Sequence, residues 1–166
     1  MRESRLMIVM GDKGWTLAAL HLACAMSRRS QTALLLLKMT PVRHPLLLGT
    51  SAASLSFTAE DEQVLEEMAA AAEAYGVTLD VKVCQYASYW HAVVDAAEQT
   101  EATAVLVHVP PSPIPYWRNW RCRHLRRQLA RQQRELITLD TLPPSLTWTP
   151  SITLPEPPIK ETAKVK

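Results

Sequence analysis

Short apolar runs alternate with amphipathic segments along the first 139 residues of the chain. Five segments have the length and composition of β-strands, namely residues 6–10, 32–39, 77–83, 104–109 and 136–139. Continuous apolar runs are typical of strands that are covered on both faces. Residues 77–83 instead alternate apolar and polar side chains, which predicts a strand with one polar face at an edge of the sheet.

Segments with apolar residues at helical spacing separate these strands. They cover residues 15–28, 58–75, 90–97 and 116–135. Thr58 and Asp61 have the spacing of a capping box at the start of the second helix, and Gly76 is suited to end that helix. Because strands separated by helices need crossover connections, the sequence predicts an α/β fold: a five-stranded parallel sheet, doubly wound and Rossmann-like.

The chain divides into two parts by composition. Residues 1–140 form the predicted α/β domain, and residues 141–166 hold six of the 12 prolines. Such a Pro-rich segment is predicted to be an extended or disordered tail rather than a second domain. Leucine, isoleucine and tryptophan residues lie among these prolines, which also suits an arm that lies along the surface of this chain or of a partner.

Bulk properties exclude several classes of protein. The chain has 48% hydrophobic residues and a net charge of +2, and no apolar run approaches the roughly 18 residues needed to cross a bilayer. Its start is charged and lacks a secretory pattern, so we expect a cytoplasmic protein. Three cysteines without metal-ligand spacing fit reduced thiols.

The predicted fourth helix is strongly basic. Residues 116–135 carry seven arginines and one acidic residue, Glu135. A block of like charges is usually a solvated face, yet this density also points to a partner. We expect Leu125 and Leu129 to anchor the helix to the sheet, with the arginines on its outer side.

Residues 93–107 give a family resemblance. There an Ala-Ala-Glu helix end runs into an apolar strand, and the stretch resembles the third helix and fourth strand of the universal stress protein family. With the order and spacing of the other elements, the resemblance covers about residues 5–139. It implies a five-stranded parallel sheet wrapped by four helices, with a long connection after the second strand. It also implies a homodimer that pairs its fifth strands, here Leu136, Ile137, Thr138 and Leu139.

The chain departs from the pattern of the ATP-binding members. Those members end the first strand with an aspartate, whereas Gly11 occupies that position here and Asp12 follows it. They also carry a glycine motif for the phosphates after the fourth strand, where this chain reads Val-Pro-Pro-Ser-Pro at 109–113. Because proline has no backbone N–H to offer a phosphate, we expect no ATP binding of the family's kind and no cofactor.

Residues 116–121, Tyr-Trp-Arg-Asn-Trp-Arg, allow several interpretations. The aromatic rings could plug the crevice left by the missing nucleotide while the arginines stay solvated. Alternatively, Trp117, Trp120 and the arginine helix could dock a protein partner, since Trp, Tyr and Arg dominate interface hot spots. Binding to nucleic acid is not expected on an otherwise acidic body, and neither is binding to an anionic membrane surface.

These observations together predict a non-catalytic domain that acts by homodimerisation and protein association. No catalytic constellation and no metal site is found in the sequence. The alternative is a domain that senses an adenine nucleotide or another anion in the crevice after the first and fourth strands. In that alternative the binding residues would be Gly11, Asp12, Lys13, Arg118 and Arg121.

Overall fold

Nine elements alternate along the chain in the predicted order. A computed structural model describes residues 5–42, 58–110 and 113–139. The elements are β1 (Arg5–Val9), α1 (Lys13–Ser30), β2 (Ala33–Pro41), α2 (Ala59–Ala74), β3 (Leu79–Tyr86), α3 (Tyr89–Gln99), β4 (Ala102–Val107), α4 (Pro115–Arg131) and β5 (Glu135–Ile137). The predicted Pro-rich tail, residues 141–166, lies outside the described residues.

All five strands form one parallel sheet in the order β3-β2-β1-β4-β5. The predicted doubly wound α/β fold is therefore confirmed, as is the position of β3 at an edge. The strand order reverses between β1 and β4, because β1 connects to β2 on one side and pairs with β4 on the other. In open α/β sheets such a switch point opens a crevice beyond the carboxyl ends of the two strands.

The core consists of two layers, one on each face of the sheet. Successive strand residues point to opposite faces, so Met7 and Val9 pack with α3 and α4, while Leu6 and Ile8 pack with α1 and α2. All four side chains are at most 4% exposed. Burial on both faces explains why β1 and β2 read as continuous apolar runs rather than alternating ones.

The predicted capping box at the start of α2 is present. Asp61 N donates to Thr58 Oγ1 at 3.1 Å, and Thr58 N donates to the Asp61 carboxylate at 2.9 Å. The Lys38 ammonium on β2 also donates to this carboxylate. Hydrogen bonds from Lys38, and then from Thr58, lower the pKa of Asp61 to about 2. The cap therefore also ties α2 to the sheet.

The last two elements are shorter than predicted. The structure ends α4 at Arg131 instead of residue 135, because Gln133 has a left-handed φ of 58° and Arg134 N turns back to the Leu129 carbonyl at 2.9 Å. The fifth strand is Glu135–Ile137 instead of residues 136–139, because the pairing with β4 begins at Glu135 and ends at Ile137. Thr138 and Leu139 follow the strand.

The cysteines are in the reduced form that the sequence predicts. Cys24, Cys84 and Cys122 are free thiols. Burial raises the pKa of Cys24 to about 11, which suits a packing role rather than a reactive one. In the ranges that the structure describes, no helix is both long and apolar enough to span a bilayer.

Candidate functional site

The crevice beyond the carboxyl ends of β1 and β4 is the place where this fold puts a ligand. Val9 on β1 is in register with Val107 on β4. The residues that follow each strand therefore face each other across the crevice: Gly11 and Asp12 after β1, and His108 after β4.

His108 fills this crevice from the β4 side. A Cβ atom at position 11 would lie 2.8 Å from the His108 Cβ and 3.0 Å from its Nδ1, so the packing of His108 requires glycine at position 11. The imidazole also contacts Trp15, with ring centroids 5.2 Å apart, and its Nδ1 lies 3.5 Å from Asp12 Oδ2. The space above the first turn of α1 is thus occupied by the protein's own side chains.

Two backbone amides of the β1–α1 turn, those of Gly11 and Trp15, are bonded to side chains of the same turn. Gly11 N donates to Thr16 Oγ1 at 3.0 Å, and that buried hydroxyl donates to the Asp12 carbonyl at 2.8 Å. Asp12 is the N-cap of α1, since its Oδ1 accepts from Trp15 N at 2.9 Å. Phosphate-binding turns present such amides to the ligand, whereas here these two amides already have partners within the chain.

The cations of the alternative anion site point in different directions. The Lys13 ammonium lies 2.6 Å from the Glu67 carboxylate on α2. Arg118 Nε donates to the Val109 carbonyl at 3.3 Å, and the Arg121 guanidinium lies 5.7 Å from the centroid of the Trp117 ring. The structure therefore brings Gly11 and Asp12 together with His108, whereas Lys13 is paired with α2 and Arg121 faces an aromatic ring.

Sequence reasoning missed the three side chains that close the crevice: His108, Trp15 and Thr16. A signal for His108 was present, because it lies near the carboxyl end of the predicted strand 104–109, where this fold binds ligands. Its partner Gly11 directly follows another predicted strand, yet their contact depends on β1 lying beside β4. Spacing along the chain alone does not reveal that neighbourhood.

An aromatic patch, formed by Tyr116, Trp117 and Trp120, lies on the first turns of α4. These side chains belong to residues that are 82%, 54% and 63% exposed. They line an apolar cavity of about 390 Å³. The interpretation that these rings plug the nucleotide crevice is wrong, because they are largely exposed while His108 and Trp15 occupy the crevice.

The remainder of α4 has the predicted division between anchor and charge. Leu125 and Leu129 are at most 1% exposed and pack into the core layer formed with α3. Arg123, Arg127 and Arg131 are exposed and recur every four residues on one face of the helix.

Across the described part of the chain, no group of three or more His, Cys, Asp or Glu side chains could hold a metal ion.

The sequence matches no protein-family model and no curated protein. Solved structures nevertheless share its fold, and several are universal stress proteins. One from Burkholderia pseudomallei aligns with a TM-score of 0.58 and 13% identity over 82% of this chain and 96% of its own. A universal stress protein in complex with cAMP gives a TM-score of 0.54 and 16% identity, over 81% of this chain and 94% of its own.

A third neighbour is the universal stress protein from Archaeoglobus fulgidus in complex with dAMP. It aligns with a TM-score of 0.52 and 12% identity over 82% of this chain and 97% of its own. The fold implied by the sequence resemblance is therefore confirmed. At these identities the likeness concerns the fold, and the function has to be argued from this chain's own residues.

Proposed function

We propose that this chain is a non-catalytic domain with the universal stress protein fold that acts by homodimerisation and protein association and does not bind ATP. The observation that carries this proposal is the aromatic patch, with Trp117 and Trp120 more than half exposed. Large aromatic side chains beside arginines are the residue types that dominate interface hot spots. Three free thiols support a cytoplasmic location.

The closed crevice supports the absence of ATP binding. A nucleotide would have to displace the His108 imidazole from Gly11 and Trp15, and would still find the Gly11 amide bonded to Thr16. The Val109-Pro110 segment that follows offers no N–H at its proline. On the β1 side the Gly11 amide is thus already bonded, and on the β4 side Pro110 has no amide to offer.

The edge strand β5 supports homodimerisation. Among the residues that the structure describes, β5 pairs with β4 on one side and has no neighbouring strand on the other. Leu136 and Thr138 are buried, while Ile137 and Leu139 pack half-buried against the layer of α1 and α2. A second β5 would pair along this backbone edge, because an open edge is a template for pairing, and Ile137 would lie within that contact.

Light scattering on the full chain at tens of micromolar tests the proposal and should give the mass of a dimer. Ile137→Lys should shift that mass to the monomer, since the charge would enter the interface. Val81→Lys is a matched control at the opposite edge of the sheet, where Val81 on β3 is 41% exposed, and should remain dimeric. A monomeric wild-type protein, or a dimer that survives Ile137→Lys, would refute pairing through β5.

The second candidate is a domain that senses an adenine nucleotide or another anion. It is favoured by two proteins of the same fold whose structures contain cAMP and dAMP. Gly11, Asp12, Lys13, Arg118 and Arg121 would form the site, with arginine side chains in place of glycine amides. An acid extract of protein purified without added ligand tests this candidate. An adenine compound released in stoichiometric amount, recognised by its absorption spectrum, would support the sensing function. An extract without it would support the closed crevice.

A further inference from the structure

The aromatic patch follows β4 along the chain, and the Pro-rich tail follows β5, so both begin beyond the carboxyl ends of the strands. Because β4 and β5 are parallel, the carboxyl end of β5 lies beside that of β4, with Ile137 in register with Leu106. Arg118 connects the first turn of α4 to the carboxyl end of β4, because its Nε donates to the Val109 carbonyl. Neighbouring strands are only ~4.8 Å apart, so Thr138 and Leu139, which follow β5, lie at the same end of the sheet as the segment that leads into α4.

The patch is a groove lined by three aromatic residues of α4. Residues three and four apart are neighbours on a helix surface, which places Trp120 beside both Tyr116 and Trp117. The Arg121 guanidinium lies over the Trp117 ring, and the His124 imidazole stacks on Trp120 with 5.5 Å between centroids and 13° between planes. Trp117 and Trp120 thus each contact a side chain one turn further along α4, and the three aromatic residues line the apolar cavity.

Grooves lined by aromatic rings bind segments in the polyproline II conformation, which lose little conformational entropy on docking. The chain itself carries a Pro-Pro sequence that begins four residues after Leu139. Residues 142–146 read Leu-Pro-Pro-Ser-Leu. At ~3.1 Å per residue in polyproline II, the seven steps from Leu139 to Leu146 would span ~22 Å. That span is several times the ~4.8 Å between neighbouring strands.

We propose that the aromatic patch is a polyproline-binding groove and that its occupant is the segment 142–146 of the same chain. Because the tail is tethered, its effective concentration at the groove is in the millimolar range for a short linker. A weak intrinsic affinity is therefore enough to keep the groove covered. The inference deepens the proposed protein association, since the docked tail would compete with any partner for Trp117 and Trp120.

Fluorine NMR on the full chain labelled with 5-fluorotryptophan tests this proposal. Trp117 and Trp120 are assigned by single Trp→Phe substitutions, and Trp15 and Trp90 serve as internal references. The double variant Pro143→Ala/Pro144→Ala should move the signals of Trp117 and Trp120 towards the shift of free fluorotryptophan and leave the two references in place. The matched control Pro155→Ala/Pro157→Ala changes two prolines further along the tail and should move none of these signals.

Three outcomes would overturn the proposal: unmoved signals in the first double variant, equal movement in both double variants, or wild-type shifts that depend on protein concentration. The last of these would assign the groove to the tail of a second copy. Light scattering on the same samples separates this inference from the proposed function. If the first double variant moves the two tryptophan signals without a change in mass, the result supports tail docking. If it changes the mass without moving these signals, the result contradicts tail docking and bears on dimerisation only.

Discussion

The crevice and the aromatic patch both lie beyond the carboxyl ends of the strands. The crevice is filled by side chains of the protein, whereas the patch exposes aromatic rings to solvent. In the crevice, Gly11 admits the His108 side chain and the turn amides bond within the chain. On the patch, Trp117 and Trp120 leave more than half of their surface in solvent. In this chain the crevice is filled by the protein's own side chains, and exposed aromatic surface lies instead on α4.

This difference has a local cause in the segment between β4 and α4. Residues 110–115 include four prolines and no glycine, so the segment supplies few amide donors and cannot approach a phosphate as a glycine loop does. Pro115 instead opens α4, a position that suits proline. The last proline of this segment thus starts the helix that carries the patch.

The largest effect is expected where α4 is anchored. Leu125 is 1% exposed, so Leu125→Ala should lower the free energy of unfolding by about 2–5 kcal/mol through lost burial and a residual cavity. Urea unfolding followed by circular dichroism measures it. Trp120→Ala serves as the exposed comparison on the same helix and should cost less than half as much. Equal costs would mean that the patch is part of the core and that the comparison is mistaken.

A smaller loss is expected in the crevice. Gly11→Ala places a Cβ 2.8 Å from that of His108, and overpacking of this kind typically costs about 1–3 kcal/mol. Since the nearest atom is the His108 Cβ, His108→Gly relieves the clash and His108→Ala does not. A double-mutant cycle by urea unfolding should therefore show Gly11→Ala to be much better tolerated beside glycine at position 108. If the two changes are additive, His108 does not close the crevice.

The smallest effect is expected on the charged face of α4. Replacing Arg123, Arg127 and Arg131 with Gln removes like charges spaced four residues apart, which repel by a few tenths of a kcal/mol per pair. Stability in urea should thus stay nearly constant or rise slightly. A loss comparable to that of Leu125→Ala would show that these arginines pack against the body of the protein.

The sequence predicts well whatever depends on neighbours along the chain. Apolar runs mark four of the strands, the alternation at residues 77–83 marks the edge strand, and the Thr58–Asp61 spacing marks a capping box that the structure contains. The end of α4 was missed because it depends on the left-handed conformation of Gln133, a residue without a strong preference for that region. Three-residue pairing likewise shortens β5.

The candidate site was predicted less completely, for a physical reason. Gly11 and Asp12 were identified from their position after a strand, but their partners Thr16 and His108 were not. The contact between Gly11 and His108 joins residues almost a hundred positions apart and exists because β1 and β4 are neighbours in the sheet. A pattern that predicts elements does not predict which side chain fills the space between two of them.

Calorimetric titration of the full chain with ATP tests the central claim most directly, namely that the crevice is closed by the protein's own side chains. We expect no saturable heat in the micromolar range and a Kd no tighter than about 1 mM, equivalent to roughly −4 kcal/mol of binding free energy. A micromolar Kd for ATP would contradict the account, because it would require His108 to leave Gly11 and the turn amides to exchange their partners for phosphate.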